Sequence, residues 1–122
     1  MYDKNNVFYK ILQSEIPAKK IYEDELVLSF YDINPACRVH AIVIPKKSYV
    51  DFHNFVKTAT SDEVGHFFAA VAKVADMLEI SNSGYRIVSN VGEDSGQEVP
   101  HFHVHILGGE KLQPHSTKIL RP

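Results

Sequence analysis

A chain of 122 residues, 44% hydrophobic and 23% charged, is long enough to bury its own core without disulfide or metal staples, and its composition excludes fibrous, disordered and membrane classes. A net charge of −2, with Lys and Arg spread along the chain, offers no basic face to nucleic acid. The lone Cys37 closes no intrachain disulfide, and the first twenty residues mix charges into their apolar positions, so neither a signal peptide nor a membrane span is expected and the cytoplasm is the default compartment.

The elements are expected as follows, within a single domain over residues 1–122. After the capping candidates Asn5 and Asn6, the apolar positions Val7, Phe8, Ile11 and Leu12 recur at helical spacing, and Pro17 stops the pattern. "KKIYEDE" and "LVLSFYDI" read as two strands close enough to pair as a hairpin, the second closed by "NPA". "RVHAIVIPKK" is a third, β-branched strand ending at Pro45. Over 60–78, Thr60 and Glu63 fit a capping box, and Val64, Phe67, Phe68, Val71, Val74, Ala75 and Leu78 form one apolar stripe. "YRIVSNV" and "VPHFHVHIL" supply two more strands across the polar loop "GEDSGQ". Five strands and two helices joined by short links predict an α+β fold with an antiparallel sheet; the long crossover through the second helix leaves the strand order open.

The stretch "HFHVHILGG" from 101 to 109 carries the chemistry. On a strand, Phe102, Val104 and Ile106 share one face while His101, His103 and His105 line the other, about 6 to 7 Å apart. A half-exposed strand would solvate that face with Thr, Lys or Glu in preference to imidazole. Two sharper readings remain: a metal site, with His40 or an acidic residue as a further ligand, and phosphoryl chemistry. For the second, neutral imidazoles can supply a nucleophile, donors to phosphate oxygens and a proton-transfer partner, and Gly96 in the preceding loop lets a backbone amide approach an anion. His53, His66 and His115 have no supporting context and read as structural or surface positions.

"HFHVHILGG" resembles the defining signature of the histidine triad superfamily, three histidines separated by apolar residues. "NNVFYKILQSEIPAKKIYEDE", "FYDINPACRVHAIVIPKK" and "GYRIVSNVGEDSGQ" resemble corresponding stretches of its nucleotide-binding branch, which the Gly-Gly after the triad also favours. The resemblance implies a histidine triad fold whose sheet continues across a homodimer. It implies hydrolysis of purine nucleoside phosphoramidates or related AMP or GMP conjugates, through a covalent nucleotidyl-histidine and without cofactor or metal. His103 would be the nucleophile, His105 and Asn90 would contact the α-phosphate, and Gln97 with the nearby backbone, including Gly96, would help to hold it. His101 and His40 would orient the nucleophile and tune its protonation, Asp32 would accept from the ribose hydroxyls, and Phe8, Ile11, Phe30 and Ile33 would surround the purine.

The chain departs from the family pattern at four places. Asn6 and Tyr9 stand where zinc-binding members carry cysteines, so no structural zinc is expected. Glu98 replaces a serine that can relay a proton to the leaving group, Pro100 precedes the triad, and the tail "EKLQPHSTKILRP" lacks a tryptophan found in some members. Within and beyond the superfamily the alternatives are a dinucleoside polyphosphate hydrolase, a non-catalytic nucleotide-binding regulator and a metal-binding module.

Overall fold

The computed structural model describes residues 1–114; His115 and the rest of the tail lie outside the described residues. The sheet contains β1 (Lys20–Glu23), β2 (Val27–Tyr31), β3 (Val39–Pro45), β4 (Tyr85–Val88) and β5 (Val104–Gly108). All neighbours are antiparallel, and the order is β1-β2-β3-β5-β4. The last strand therefore inserts between the third and the fourth. This places the histidine-bearing strand inside the sheet, with Ile42 opposite His105 on one side and Val88 opposite it on the other.

Helix α1 (Val7–Leu12) starts at Asn6, whose side chain accepts from the Tyr9 amide at 2.8 Å. It ends well before Pro17, because Ser14 turns into a left-handed conformation at φ 60°. Two further helices follow β3: α2 (Phe52–Thr58), capped by Asp51, and α3 (Ser61–Met77), opened by the Thr60–Glu63 capping box. The described residues thus contain three α-helices where the sequence spacing predicted two. The extra one, α2, is a two-turn segment too short to show a stripe, and it forms because Phe55 has a core to enter.

Alternation along the strands divides the interior into two layers. Val27, Ala41, Val43, Val104 and Ile106 face α2 and α3, where Phe55, Phe67 and Phe102 pack with ring centroids 4.8 to 5.3 Å apart. Leu28, Phe30, Ile42 and Ile44 face the other way and receive Phe8 and Ile11 from α1. The histidines project into this second layer, so the face opposite the main core is also covered. Burying these three rings, Phe55 of α2, Phe67 of α3 and Phe102 just ahead of β5, contributes roughly 2 kcal/mol each before entropy is counted.

The final strand is shorter than its sequence pattern. Its ladder begins at Val104; before that, the Phe102 amide donates to the Tyr49 carbonyl at 2.7 Å and the His101 amide to the Val99 carbonyl at 2.9 Å. β4 likewise stops at Val88, and Ser89 uses its hydroxyl to bond the His103 carbonyl at 2.7 Å.

Candidate active site

His101, His103 and His105 are all buried, at 0%, 1% and 2% exposure, with His40 beside them at 4%. Removal of imidazole from water disfavours its charged form, and all four are held below the ordinary histidine range for that reason. Burial brings His101 to about 4, against the opposing pull of its bond to the Pro45 carbonyl. Burial, then the neighbouring His103 and His40, brings His105 to about 3. For His103 and His40 burial outweighs the nearby Asp32 carboxylate, and at His103 also the carbonyl of His101. The row is neutral near pH 7.

The hydrogen bonds then assign the tautomers. His103 Nδ1 lies 2.7 Å from the His101 carbonyl, which can only accept, so Nδ1 carries the proton and Nε2 keeps its lone pair. The Ala36 amide donates to His40 Nδ1 at 2.9 Å, so the His40 proton is on Nε2. That N–H points to His105 Nδ1 at 2.8 Å, with the Asp32 carboxylate next at 3.3 Å. His105 Nδ1 accepts, which leaves its proton on Nε2. His101 Nε2 donates to the Pro45 carbonyl at 2.8 Å, and its Nδ1 accepts from the Tyr2 hydroxyl at 2.5 Å.

Among the described residues, three buried side-chain atoms in this region have no hydrogen-bond partner: His103 Nε2, His105 Nε2 and Asn90 Nδ2. By the tautomers above they are one lone pair and two donors. Buried polar atoms are rarely left unsatisfied, and such a group marks a place where a ligand's atoms complete the bonding. The rings of His103 and His105 are 5.1 Å apart, and Ser89, bonded to the His103 carbonyl, sets Asn90 next to it in the chain. Beside them an open pocket of about 470 Å³ is lined by Phe8, Ile11, Phe30, Asp32, Ile33 and Val99, among others. Its size and mostly apolar walls with one carboxylate suit a flat, partly polar ligand.

Phe8 links pocket and row, its ring edge-on to His103 at 4.9 Å. Asp32 sits at the other end: one oxygen accepts from the Asn34 amide at 2.8 Å, and the other faces His40. Ile33, at 91% exposure, forms the lip. Gln97 is engaged in holding its loop, accepting from the Gly92 amide at 2.8 Å and donating to the Val50 and Val99 carbonyls at 2.8 and 3.0 Å. Gly96 takes a left-handed φ of 82°, and Glu98 is exposed. The orienting contacts differ from expectation in detail: His40 touches His105 and not His103, and His101 holds His103 through its peptide carbonyl, not its ring.

Asp32, His40 and His105 present donor atoms all within 4.8 Å of one another, a set that could hold a metal ion. The hydrogen bonds among them already account for that proximity. Tyr2 and Ser89 were not singled out by the sequence, since neither falls in a periodic pattern. The adjacency of Ser89 to Asn90 in "SNVGEDSGQ" was the nearest available signal.

The HIT domain family matches residues 13–112. A HIT-like protein of Rickettsia prowazekii is 49% identical over 112 residues, covering 92% of this chain and 93% of that protein. A protein of Escherichia coli K12 named purine nucleoside phosphoramidase is 36% identical over 111 residues, covering 91% and 92%. The solved structure of a HIT family hydrolase from Clostridium thermocellum superposes with a TM-score of 0.81 at 40% identity, covering 97% of this chain and 99% of that one.

Proposed function

The chain belongs to the HIT domain family, and we propose that this nucleotide-binding hydrolase cleaves purine nucleoside phosphoramidates or related nucleotidyl conjugates to a nucleoside monophosphate through His103. The observation that carries the reading is the trio of unpartnered buried atoms on His103, His105 and Asn90. A lone pair together with two unspent donors is what an α-phosphate under attack requires.

In the first step His103 Nε2 attacks phosphorus in line, a bond forms between that nitrogen and phosphorus, and the P–N bond breaks. The amine leaves with a proton drawn from solvent, which the hydrolytic water of the second step returns. The charge that appears on the His103 ring is stabilised by its Nδ1–H bond to the His101 carbonyl, while His105 Nε2–H and Asn90 Nδ2–H offset charge on the phosphate oxygens. Water then attacks phosphorus, and the monophosphate leaves as His103 regains its lone pair. Phe8, Ile11, Phe30 and Ile33 hold the purine, Asp32 accepts from the ribose hydroxyls, and exposed Glu98 tunes leaving-group preference from the rim. The histidines and backbone amides supply the electrostatics, so the reaction requires no metal. The homodimer joins through the β4 edge, where Tyr85 and Ile87 are exposed, and the protein acts in the cytoplasm.

The test is intact-protein mass spectrometry after rapid acid-free quenching with an adenosine phosphoramidate, with monophosphate release followed in parallel. A transient nucleotidyl adduct and release in wild type, both lost in His103→Ala, support the mechanism. Nucleotide binding with neither adduct nor release would replace it with a non-catalytic nucleotide-binding role.

A further inference from the structure

We propose that Tyr2 is a positioning residue for the nucleophile: its hydroxyl locks the His101 ring, and the peptide carbonyl of His101 in turn aims His103 Nε2 at the phosphate. The inference rests on the reading of His103 as nucleophile and extends it to a side chain 99 positions from His101 in sequence.

Three observations converge on Tyr2. Its hydroxyl lies 2.5 Å from His101 Nδ1, the one ring nitrogen of His101 that the Pro45 carbonyl leaves free to accept. The phenol therefore donates, and both nitrogens of a ring with 0% exposure have partners. The Tyr2 ring also packs edge-on against His101, centroids 5.6 Å apart at 73°, and against Tyr9 of α1 at 5.9 Å. Finally, the hydroxyl is within reach of the side chains of Asn6 and Ser48. Asn6 caps α1, and α1 carries Phe8 against His103. The phenol thus joins the two elements that fix the nucleophile, the His101 peptide beneath it and α1 above it.

The consequence follows from His101 being a side chain without a free nitrogen. If the Tyr2 hydroxyl is removed, Nδ1 of a buried neutral ring loses its donor while Nε2–H stays on the Pro45 carbonyl, and residue 101 relaxes around the unsatisfied nitrogen. Where that relaxation reaches the backbone of residue 101, the 2.7 Å bond from His103 Nδ1–H to its carbonyl moves with it. Near-attack geometry is sensitive to displacements of that kind, while the purine pocket, whose walls also include Phe30, Ile33 and Val99 away from α1, tolerates them better.

The experiment compares wild type with Tyr2→Phe and with 3-fluorotyrosine placed at position 2, which keeps the ring's shape and hydroxyl and so guards against a folding failure of Tyr2→Phe. Adenosine phosphoramidate turnover is measured together with ¹⁵N spectra of the histidine ring nitrogens. The expected result is a kcat lowered roughly 10-fold in Tyr2→Phe with KM within about twofold, a His101 Nδ1 signal displaced by loss of its donor, and a shifted His103 Nδ1 proton. Near-wild-type kcat is expected for fluorotyrosine, with a displaced His101 Nδ1 signal. Unchanged His101 and His103 signals in folded Tyr2→Phe would overturn the proposal, as would a KM effect without a kcat effect. Should wild type itself show no turnover, the hydrolase reading fails, and the ring spectra alone then decide whether Tyr2 sets His103.

Discussion

His40 donates through Nε2 to His105 Nδ1 across 2.8 Å, a contact between residues 65 positions apart, and this one bond fixes which nitrogen of His105 carries its proton. The chain of assignment begins at the Ala36 amide, which occupies His40 Nδ1. Replacing His40 by Ala removes the donor to His105 Nδ1. His105 can then place its proton there, toward the Asp32 side, and present a lone pair where a phosphate oxygen needs a donor. The expected outcome is a kcat reduced on the order of 100-fold, the loss of one oxyanion donor, with a smaller effect on monophosphate affinity. Steady-state kinetics beside monophosphate titration distinguish this from a general loss of binding, which would lower affinity in proportion.

The buried neutral histidines also make the fold acid-sensitive, with a definite sign. Their folded-state values lie below the unfolded value near 6.5, about 4 for His101 and about 3 for His105. Between those limits the unfolded chain binds more protons than the native one, so stability falls as pH drops below about 6.5 and keeps falling until the native rings protonate. From pH 7 to pH 5 His101 alone accounts for a loss of about 2 kcal/mol, with His105 comparable. Urea unfolding at the two pH values checks this. Equal unfolding free energies would mean that the rings are hydrated in the native state.

The alternation in "HFHVHIL" was enough to place Phe102, Val104 and Ile106 in one layer and the histidines in the other, because a period of two leaves no other arrangement. The capping box at Thr60 and Glu63 and the stripe from Val64 to Leu78 marked α3 for the same reason: the signal is local. The predicted pocket residues Phe8, Ile11, Phe30, Asp32 and Ile33 do line one cavity. Only the resemblance linked them, since they come from α1 and the end of β2. What the sequence withheld is long-range. The insertion of β5 between β3 and β4 depends on which strand edge the crossover leaves open. The Tyr2–His101 and Ala36–His40 bonds depend on where loops come to rest, and α2 depends on a core that only the folded chain provides.

Asp24 gathers four hydrogen bonds and none of the chemistry. Its Oδ1 accepts from the Leu26 and Val27 amides at 2.8 and 2.9 Å, and its Oδ2 from the Tyr22 hydroxyl at 2.7 Å and His66 of α3 at 2.8 Å. Burial alone would raise its carboxyl, but these bonds prevail and bring it to about 2. The native state therefore holds this group ionised. The stabilisation is present above pH 3.8 and is lost as pH falls through about 2. Asp24→Ala frees two amides at the β1–β2 turn and unties that turn from α3. It is expected to lower the unfolding free energy by about 2 kcal/mol at pH 7 while kcat and KM stay at wild-type values. A denaturant titration and a steady-state assay on the same variant separate the two effects, and a changed kcat would show that the turn is coupled to the site.

Gly109 closes β5 at a φ of 80°, and a Cβ there would lie 2.6 Å from Val39 Cγ2 and 3.2 Å from the Val39 backbone nitrogen. Both constraints act at the end of the strand that carries His103 and His105, where Gly108 pairs with Val39 of β3. Gly109→Ala combines a left-handed backbone with a clash that the stiff, β-branched Val39 cannot relieve by rotating. The expected loss is about 2 to 3 kcal/mol of stability, and part of it should return in a Gly109→Ala, Val39→Ala double variant, which removes the clash and leaves the backbone strain. Because Val39 directly precedes His40, the single variant should also reduce turnover, and the double variant should restore it more fully than it restores stability. Thermal denaturation and phosphoramidate turnover of the four proteins in this cycle provide the check. Strict additivity in both would show that strain at Gly109 alone, without contact to Val39, sets the cost.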